Sequence, residues 1–252
     1  MDTGRGWLYA QRPMVFPYSL SVFFPAYNDA RSLPGLIGAT FEVLSQHVDD
    51  YEVIVVNDGS QDDTADVLLR LRRRFGPRLR IVTHPQNRGY GAALRSGFEA
   101  ATKEFVFYTD GDGQYDVREL PSLLELAWPD TGLVNGYKTE RQDPWHRVAI
   151  GVLYNRVARL LFRVKLRDID CDYRLVRRSL IHRSPLRCTS GTVCVELVKK
   201  LESSGMRVAE VPVSHFARQY GRSQFFRINS LGATFVQLCL LYVRFVAMRG
   251  FL

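Results

Sequence analysis

The residues best suited to chemistry lie in Tyr108-Thr109-Asp110-Gly111-Asp112-Gly113-Gln114-Tyr115-Asp116. Asp110 and Asp112 stand two positions apart across a Gly, directly after the apolar run Phe105 to Tyr108, which reads as a fully buried strand. Two carboxylates held so close at the end of a buried strand repel each other unless a cation compensates them. A hard divalent ion, Mg²⁺ or Mn²⁺, bridging Asp110 and Asp112 to diphosphate oxygens is the natural compensation. Gln114 is spaced to add a neutral oxygen to the same ion. The spacing of a calcium loop, with its terminal Glu, is absent.

Other polar turns follow other apolar runs. Pro25-Ala26-Tyr27-Asn28-Asp29 comes after Leu20 to Phe24, and Asn57-Asp58-Gly59-Ser60-Gln61-Asp62 after Val53 to Val56. Each reads either as an ordinary strand-to-helix turn, with Asp62 or Asp63 as helix cap, or as a pocket wall. In the second reading Tyr27 packs on a base and Asp58 accepts hydrogen bonds from it. Asn87-Arg88-Gly89-Tyr90-Gly91-Ala92-Ala93 opens a helix with small residues, which lets backbone approach an anionic ligand closely. It lacks the G-x-G-x-x-G spacing and the position after the first strand that a dinucleotide fingerprint needs.

Positioning these turns falls to a repeated strand and helix pattern. Apolar runs at Leu20 to Phe24, Val53 to Val56, Leu79 to Val82 and Phe105 to Tyr108 read as strands. Stretches with helical spacing lie between them at Leu33 to Gln46, Thr64 to Phe75 and Gly91 to Thr102. The alternation predicts an α/β fold with a doubly wound, mainly parallel sheet flanked by helices. Ligands of such sheets sit beyond the carboxyl ends of the strands, which is where every motif above falls.

The chain has 252 residues, 46% of them hydrophobic, enough for one large α/β domain and a short appendage. Its net charge of +8 is concentrated. From Lys138 to Arg187 there are 13 Lys or Arg against 5 Asp or Glu, a surplus of +8 equal to that of the whole chain. That segment is expected to meet phosphate groups or anionic lipid. Nucleic acid is not an expected partner, because no helix-turn-helix, zinc-finger or RNA-recognition pattern is present. Cys171, Cys188, Cys194 and Cys239 show neither C-x-x-C spacing nor disulfide density and read as reduced thiols. His84 and His215 have no ligand spacing and read as structural.

Taken together, Pro25-Ala26-Tyr27-Asn28, Asn57-Asp58-Gly59-Ser60, Gly89-Tyr90-Gly91-Ala92-Ala93 and Asp110-Gly111-Asp112-Gly113-Gln114 resemble the family-2 glycosyltransferases with the GT-A fold. The similarity is greatest to the branch typified by dolichyl-phosphate mannosyltransferase and bacterial polyprenyl-phosphate glycosyltransferases. Asp168-Ile169-Asp170-Cys171-Asp172-Tyr173-Arg174 and Arg218-Gln219-Tyr220-Gly221-Arg222-Ser223 resemble that branch's later acceptor-side motifs. The resemblance implies that Pro25, Tyr27, Asp29 and Asp58 line a nucleotide pocket and that Asp110, Asp112 and Gln114 hold metal and donor diphosphate. It also implies that Lys138 and Arg147 face the acceptor phosphate. The chain departs from the pattern at Asn57, at Gln224 and at Cys171-Asp172-Tyr173, where the family has Asp, Lys and Ser-Gly-Phe. These departures bear on the acceptor more than on donor chemistry.

The expected reaction is attack of an acceptor oxygen on the anomeric carbon of a nucleotide sugar of GDP-mannose or UDP-glucose type, as the nucleoside diphosphate leaves. Asp112, Lys138 and Arg147 are the expected catalytic residues. A polyprenyl or dolichyl phosphate acceptor is already ionised, so it needs cations, assigned to Lys138, Arg141, Arg147, Arg174 and Arg218, rather than a base. A sugar-hydroxyl acceptor would instead need a carboxylate base, for which Asp168, Asp170 and Asp172 are available. A catalytically silent nucleotide-sugar or lipid-carrier binding protein is the alternative outside enzymes.

Residues 1–18, with no continuous apolar region, read as a loose arm rather than a secretory signal, 19–225 as the catalytic domain, and 226–252 as an apolar interfacial helix. Leu231 to Val243, interrupted by Gln237 and closed by Arg244, is too short to span a membrane, which takes about twenty apolar residues. Val148 to Val164, with Arg156, Arg159 and Arg163 on one face, reads as a basic amphipathic helix. It would either dock on headgroups or pack on the sheet. A cytoplasmic protein, peripheral on the membrane's cytoplasmic face, is expected.

Overall fold

The structure is a computed structural model that describes residues 15–139, 145–183, 185–220 and 228–247; for 145–150, 228–235 and 246–247 only the backbone is described. The alternation read from the sequence appears as β1 (Leu20–Ala26), α1 (Leu33–His47), β2 (Tyr51–Asp58), α2 (Thr64–Phe75), β3 (Leu79–His84), α3 (Tyr90–Ala100) and β4 (Phe105–Thr109). A short α4 (Leu120–Leu124), β5 (Thr131–Lys138), α5 (Trp145–Phe162), β6 (Tyr173–Arg177), α6 (Arg178–Arg183), α7 (Val193–Glu202), β7 (Arg207–Val213) and α8 (Ile228–Ala247) follow.

The seven strands form one sheet in the order β3-β2-β1-β4-β6-β5-β7. β1 to β4 run parallel, and β5 pairs parallel with β7. β6, inserted between β4 and β5, runs antiparallel to both. Side chains alternate between two cores. Val22, Phe24, Val53, Val55, Phe105 and Phe107 face α1, α2 and α4, whereas Phe23, Ile54, Val56, Val106 and Tyr108 face α3, α5, α7 and α8. Phe23 is fully buried, stacks on Tyr108 with centroids 5.3 Å apart and meets Phe98 edge-on at 5.0 Å. Truncating it to Ala would cost about 3–5 kcal/mol through the cavity left behind.

Two expectations about the chain's periphery change. Residues 15–18 are not a loose arm. Phe16 is buried, its N–H donates to the His47 carbonyl (2.6 Å), and it packs edge-on against Phe105, on which Tyr18 leans at a tilt. Apolar side chains so placed leave water and take the backbone with them. Residues 1–14 lie outside the described part. Arg163 is not on the basic helix, since α5 ends at Phe162 and Arg163 adopts a left-handed φ of 52° that terminates it. Arg156 and Arg159 do lie exposed on α5.

α8, 20 residues, lies within the 226–252 expected as a helix, extends past the apolar stretch 231–243 at both ends, and seats Leu238 and Leu241 in the second core. It meets α5 where Phe162 packs against Tyr242 and Phe245. Among the described residues no helix is long and apolar enough to cross a membrane.

Candidate active site

The loops after β1, β2 and β4 converge at the carboxyl end of the sheet, and hydrogen bonds lace them together. Asn28, in a left-handed conformation with φ 59°, receives the Gln61 N–H on its side chain (2.8 Å) and donates its own N–H to Ser60 Oγ (3.0 Å). Asn57 Oδ1 accepts from the Ser60 N–H (3.0 Å). Asp62, rather than Asp63, caps α2 by accepting from the Thr64 N–H (3.0 Å). Pro25 acts through its backbone, its carbonyl accepting the Gly111 N–H at 3.1 Å. A Cβ on Gly111 would stand 2.9 Å from that oxygen, so Gly is required for the approach.

Asp110 and Asp112 lie at the floor of this cleft. Thr109 and Tyr173 are register partners of the antiparallel β4 and β6, so Asp110 stands opposite Asp172 at the next position. Burial, then Asp172 and Asp112, push the Asp110 carboxyl well above its usual range, against a hydrogen bond from the Tyr90 hydroxyl (2.8 Å). Asp112 Oδ2 accepts from Arg218 Nε (3.1 Å) and Nη2 (2.5 Å), and its Oδ1 from the Gln114 N–H (3.0 Å). Burial pushes Asp29 up to about 6, opposed by the Tyr27 N–H at 2.9 Å and reinforced by Asp112. Tyr27 itself is half-buried at the rim.

Among the described residues Arg218 pairs with Asp112 and Arg174 with Asp172, so Asp110 between them, held by the Tyr90 hydroxyl, is where positive charge falls short. That deficit fits a divalent ion held by Asp110 and Asp112. Among the described residues no three His, Cys, Asp or Glu side chains form a ready cage, so substrate oxygens would complete the coordination.

Several sequence expectations take a different form. Asp58 is buried, with its carboxylate turned on the chain itself: it accepts from the Arg88 and Gly89 N–H groups (2.9 and 3.0 Å) and pairs with His84 Nδ1 (2.6 Å). It shapes the Gly89 turn more than it offers acceptors to a base. The Gln114 amide donates to the Phe216 carbonyl (2.9 Å), fastening the 214–220 segment across the acidic loop.

Arg174 is not a cation for the acceptor. It is fully buried, and its guanidinium donates to Asn135 Oδ1, Tyr108 Oη, Asp172 Oδ1 and the Ile169 carbonyl. A buried guanidinium needs such partners, and four of its five N–H donors are spent inside the protein, away from solvent and ligand alike. Lys138 is half-buried, and its ammonium donates to the Asp170 carbonyl (2.7 Å). Arg147 falls on α5 without a described side chain, and Arg141 lies outside the described residues. Of the candidate bases, buried Asp168 organises its own loop by accepting from Asn155 Nδ2 and the Asp170 N–H (both 3.1 Å), and Asp172 stands opposite Asp110 on the acidic floor. Asp172 also receives the Cys194 thiol at 3.2 Å.

Relatives and solved folds agree with this architecture. The chain is 30% identical over 206 residues to the undecaprenyl-phosphate 4-deoxy-4-formamido-L-arabinose transferase of Sodalis glossinidius. It is 31% identical to the enzyme of that name from Aeromonas hydrophila. In both cases the alignment covers 82% of this chain and 62% of the relative, so the chain spans about three fifths of their length. Among solved structures, glucosyl-3-phosphoglycerate synthase of Mycobacterium tuberculosis, in complex with Mn²⁺, UDP and glucosyl-3-phosphoglycerate, superposes with a TM-score of 0.68 at 20% identity, covering 88% of this chain and 78% of that one. A mannosyltransferase of Pyrobaculum calidifontis, in complex with GDP-mannose and Mn²⁺, gives 0.62 at 22%, covering 88% and 64%. These two establish the GT-A fold. The profile of the glycosyl transferase family 2 matches residues 21–184, which includes the acidic loop and the turns around it, and the chain belongs to that family.

Proposed function

We propose that this protein transfers a sugar, with inversion, from a nucleotide sugar of GDP-mannose or UDP-glucose type to a polyprenyl phosphate. The observation that carries the reading is the crowded acidic floor, Asp110 between Asp112 and Asp172, at the carboxyl end of β4. A Mg²⁺ or Mn²⁺ ion bound there would neutralise charge developing on the departing diphosphate. The acceptor phosphate, already anionic, attacks the anomeric carbon as the bond to the nucleoside diphosphate breaks, so no protein base is needed. Lys138, Arg141, Arg147 and Arg218 are proposed to draw in and orient the phosphates. The curated relatives' names support the acceptor class.

A membrane surface is the proposed site of work. α5 and α8 carry no Asp or Glu, and both leave apolar side chains outward, Leu153 64% and Leu160 79% exposed on α5, Val236 56% and Val243 62% on α8. With Arg156 and Arg159 among them, this suits the surface of an anionic bilayer on the cytoplasmic side.

The test is transfer by purified protein with Mn²⁺ or Mg²⁺, GDP- and UDP-sugars and undecaprenyl phosphate, beside Asp112→Asn. Metal-dependent glycolipid that the variant does not make supports the proposal. Donor hydrolysis without glycolipid favours a hydroxyl acceptor, for which Asp172 on the acidic floor is the candidate base. Absence of donor turnover and binding would leave a silent relative.

A further inference from the structure

Gln237 interrupts the apolar course of α8, and its side chain makes four hydrogen bonds to one loop. Its Oε1 accepts from the N–H groups of Thr189 (3.0 Å) and Ser190 (3.1 Å) and from the Ser190 hydroxyl (3.0 Å), while Nε2 donates to Thr189 Oγ1 (2.8 Å). The same loop is gripped from its other end by Glu196, which accepts from the Arg187 and Cys188 N–H groups, with Oε2 at 2.9 and 2.8 Å.

This loop is the backing of the Gly89-Tyr90-Gly91 turn. The Gly91 N–H donates to the Thr189 carbonyl (2.9 Å), and a Cβ on Gly91 would stand 2.2 Å from the Cys188 carbonyl oxygen. Backbone lies directly on backbone, with no flexible side chain between them to absorb a shift. The turn in turn places the Arg88 and Gly89 N–H groups on Asp58 and the Tyr90 hydroxyl on Asp110. An unbroken series of contacts thus runs from the middle of α8 to the acidic floor.

We infer that Gln237 is a positioning residue through which the seating of α8 sets the geometry of the nucleotide and metal site. The inference rests on the donor reading of that site. Val236, next to Gln237, and Leu240 face outward at 56% and 54% exposure, while Leu238 and Leu241 face the core. Contact of the outward face with a bilayer favours the seated helix, and Gln237 hands that preference to the Gly89 turn.

The experiment is calorimetric binding of UDP and GDP in Mn²⁺, with and without vesicles of equal parts phosphatidylcholine and phosphatidylglycerol. It compares wild type, Gln237→Leu and Gln237→Glu, with vesicle flotation run beside it. In wild type, vesicles tighten the binding of the nucleotide it recognises by at least about fivefold. Gln237→Leu floats with vesicles as wild type does, yet its affinity ignores them; Gln237→Glu, which keeps the triple acceptor, regains the response. If Gln237→Leu does not fold, Ser190→Ala, which removes one of the three donors, shows a reduced response. Wild-type binding that is indifferent to vesicles, or a full response in Gln237→Leu or its substitute, overturns the inference and leaves the transferase reading standing. No nucleotide binding by wild type would overturn both.

Discussion

The two ends of the central strands carry carboxylates in opposite circumstances. At the amino end, Glu52 on β2 accepts from Ser21 Oγ (2.7 Å), the Thr102 N–H (2.7 Å) and hydroxyl (2.8 Å), and Arg80 (2.7 Å). Burial pushes its carboxyl up, but these donors outweigh it and hold it below the usual range. At the carboxyl end, burial and crowding push Asp29 and Asp110 up, with Arg218 on Asp112 and Arg174 on Asp172 as the cations paired with that cluster among the described residues. The amino end surrounds its buried carboxylate with donors; the carboxyl end crowds Asp110 between Asp112 and Asp172, which is what a site awaiting a cation requires.

Neutralising the acids at the two ends should therefore have opposite consequences. Asp110→Asn and Asp112→Asn are expected to lower transfer by about 10²–10³-fold or more, and Asp110→Asn, which relieves a crowded carboxyl, to leave the metal-free melting temperature unchanged or raised. In the same proteins Mn²⁺ at a hundredfold over its dissociation constant should stabilise wild type by about 2.7 kcal/mol and the variants by far less. A melting temperature that falls sharply in metal-free Asp110→Asn would erase the contrast. Glu52→Ala should do the reverse, losing about 3 kcal/mol in a urea titration because Ser21, Thr102 and Arg80 are left without their acceptor, with turnover per folded molecule unchanged.

The smallest effect is one of sign with pH. The Asp29 carboxyl is raised from the ordinary 3.8 to about 6, so between those values the native chain holds more protons than the unfolded one. Stability from this group therefore declines as pH rises from about 4 to about 6 and is level above that. Asp29→Asn should remove the slope and be more stable near neutrality by about 2 kcal/mol or less, read from metal-free urea titrations across pH. Glu52, held low, contributes with the opposite sign: its stabilisation is present above the ordinary Glu range and is lost as pH falls. Parallel pH profiles for Asp29→Asn and wild type would remove this distinction.

Elements whose pattern is local were legible in the sequence. The continuous apolar runs of β1, β2 and β4 and the helical spacing of α1 to α3 appear within a few residues of their expected bounds, because each is decided by its own side chains meeting a core. What was not legible depends on partners distant in the chain. Arg174 reads as one more cation of a basic segment until Tyr108, Asn135 and Ile169 arrive from separate elements to bury it. The pairing of Asp172 with Asp110 required knowing that β6 runs against β4. The Glu52 cluster did leave a signal, since Ser21 and Glu52 are polar breaks inside apolar strands, and such breaks mark a buried network. Residues 15–18 misled because Phe16 and Tyr18 follow a polar, Pro-containing start and carry no periodicity of their own.

The reversal of β6 also bears on how this molecule can diversify. A parallel strand delivers to the cleft the residues that come after it, whereas β6 delivers those that come before it, so Asp168 to Asp172 reach the cleft directly from α5. The half of the cleft opposite the donor loops is thus spliced in sequence to a helix with an apolar outward face. Residues 145–172 are one contiguous stretch of sequence, separate from the loops at 25–29, 57–60 and 110–114, so change on the acceptor side can accumulate without touching the donor loops.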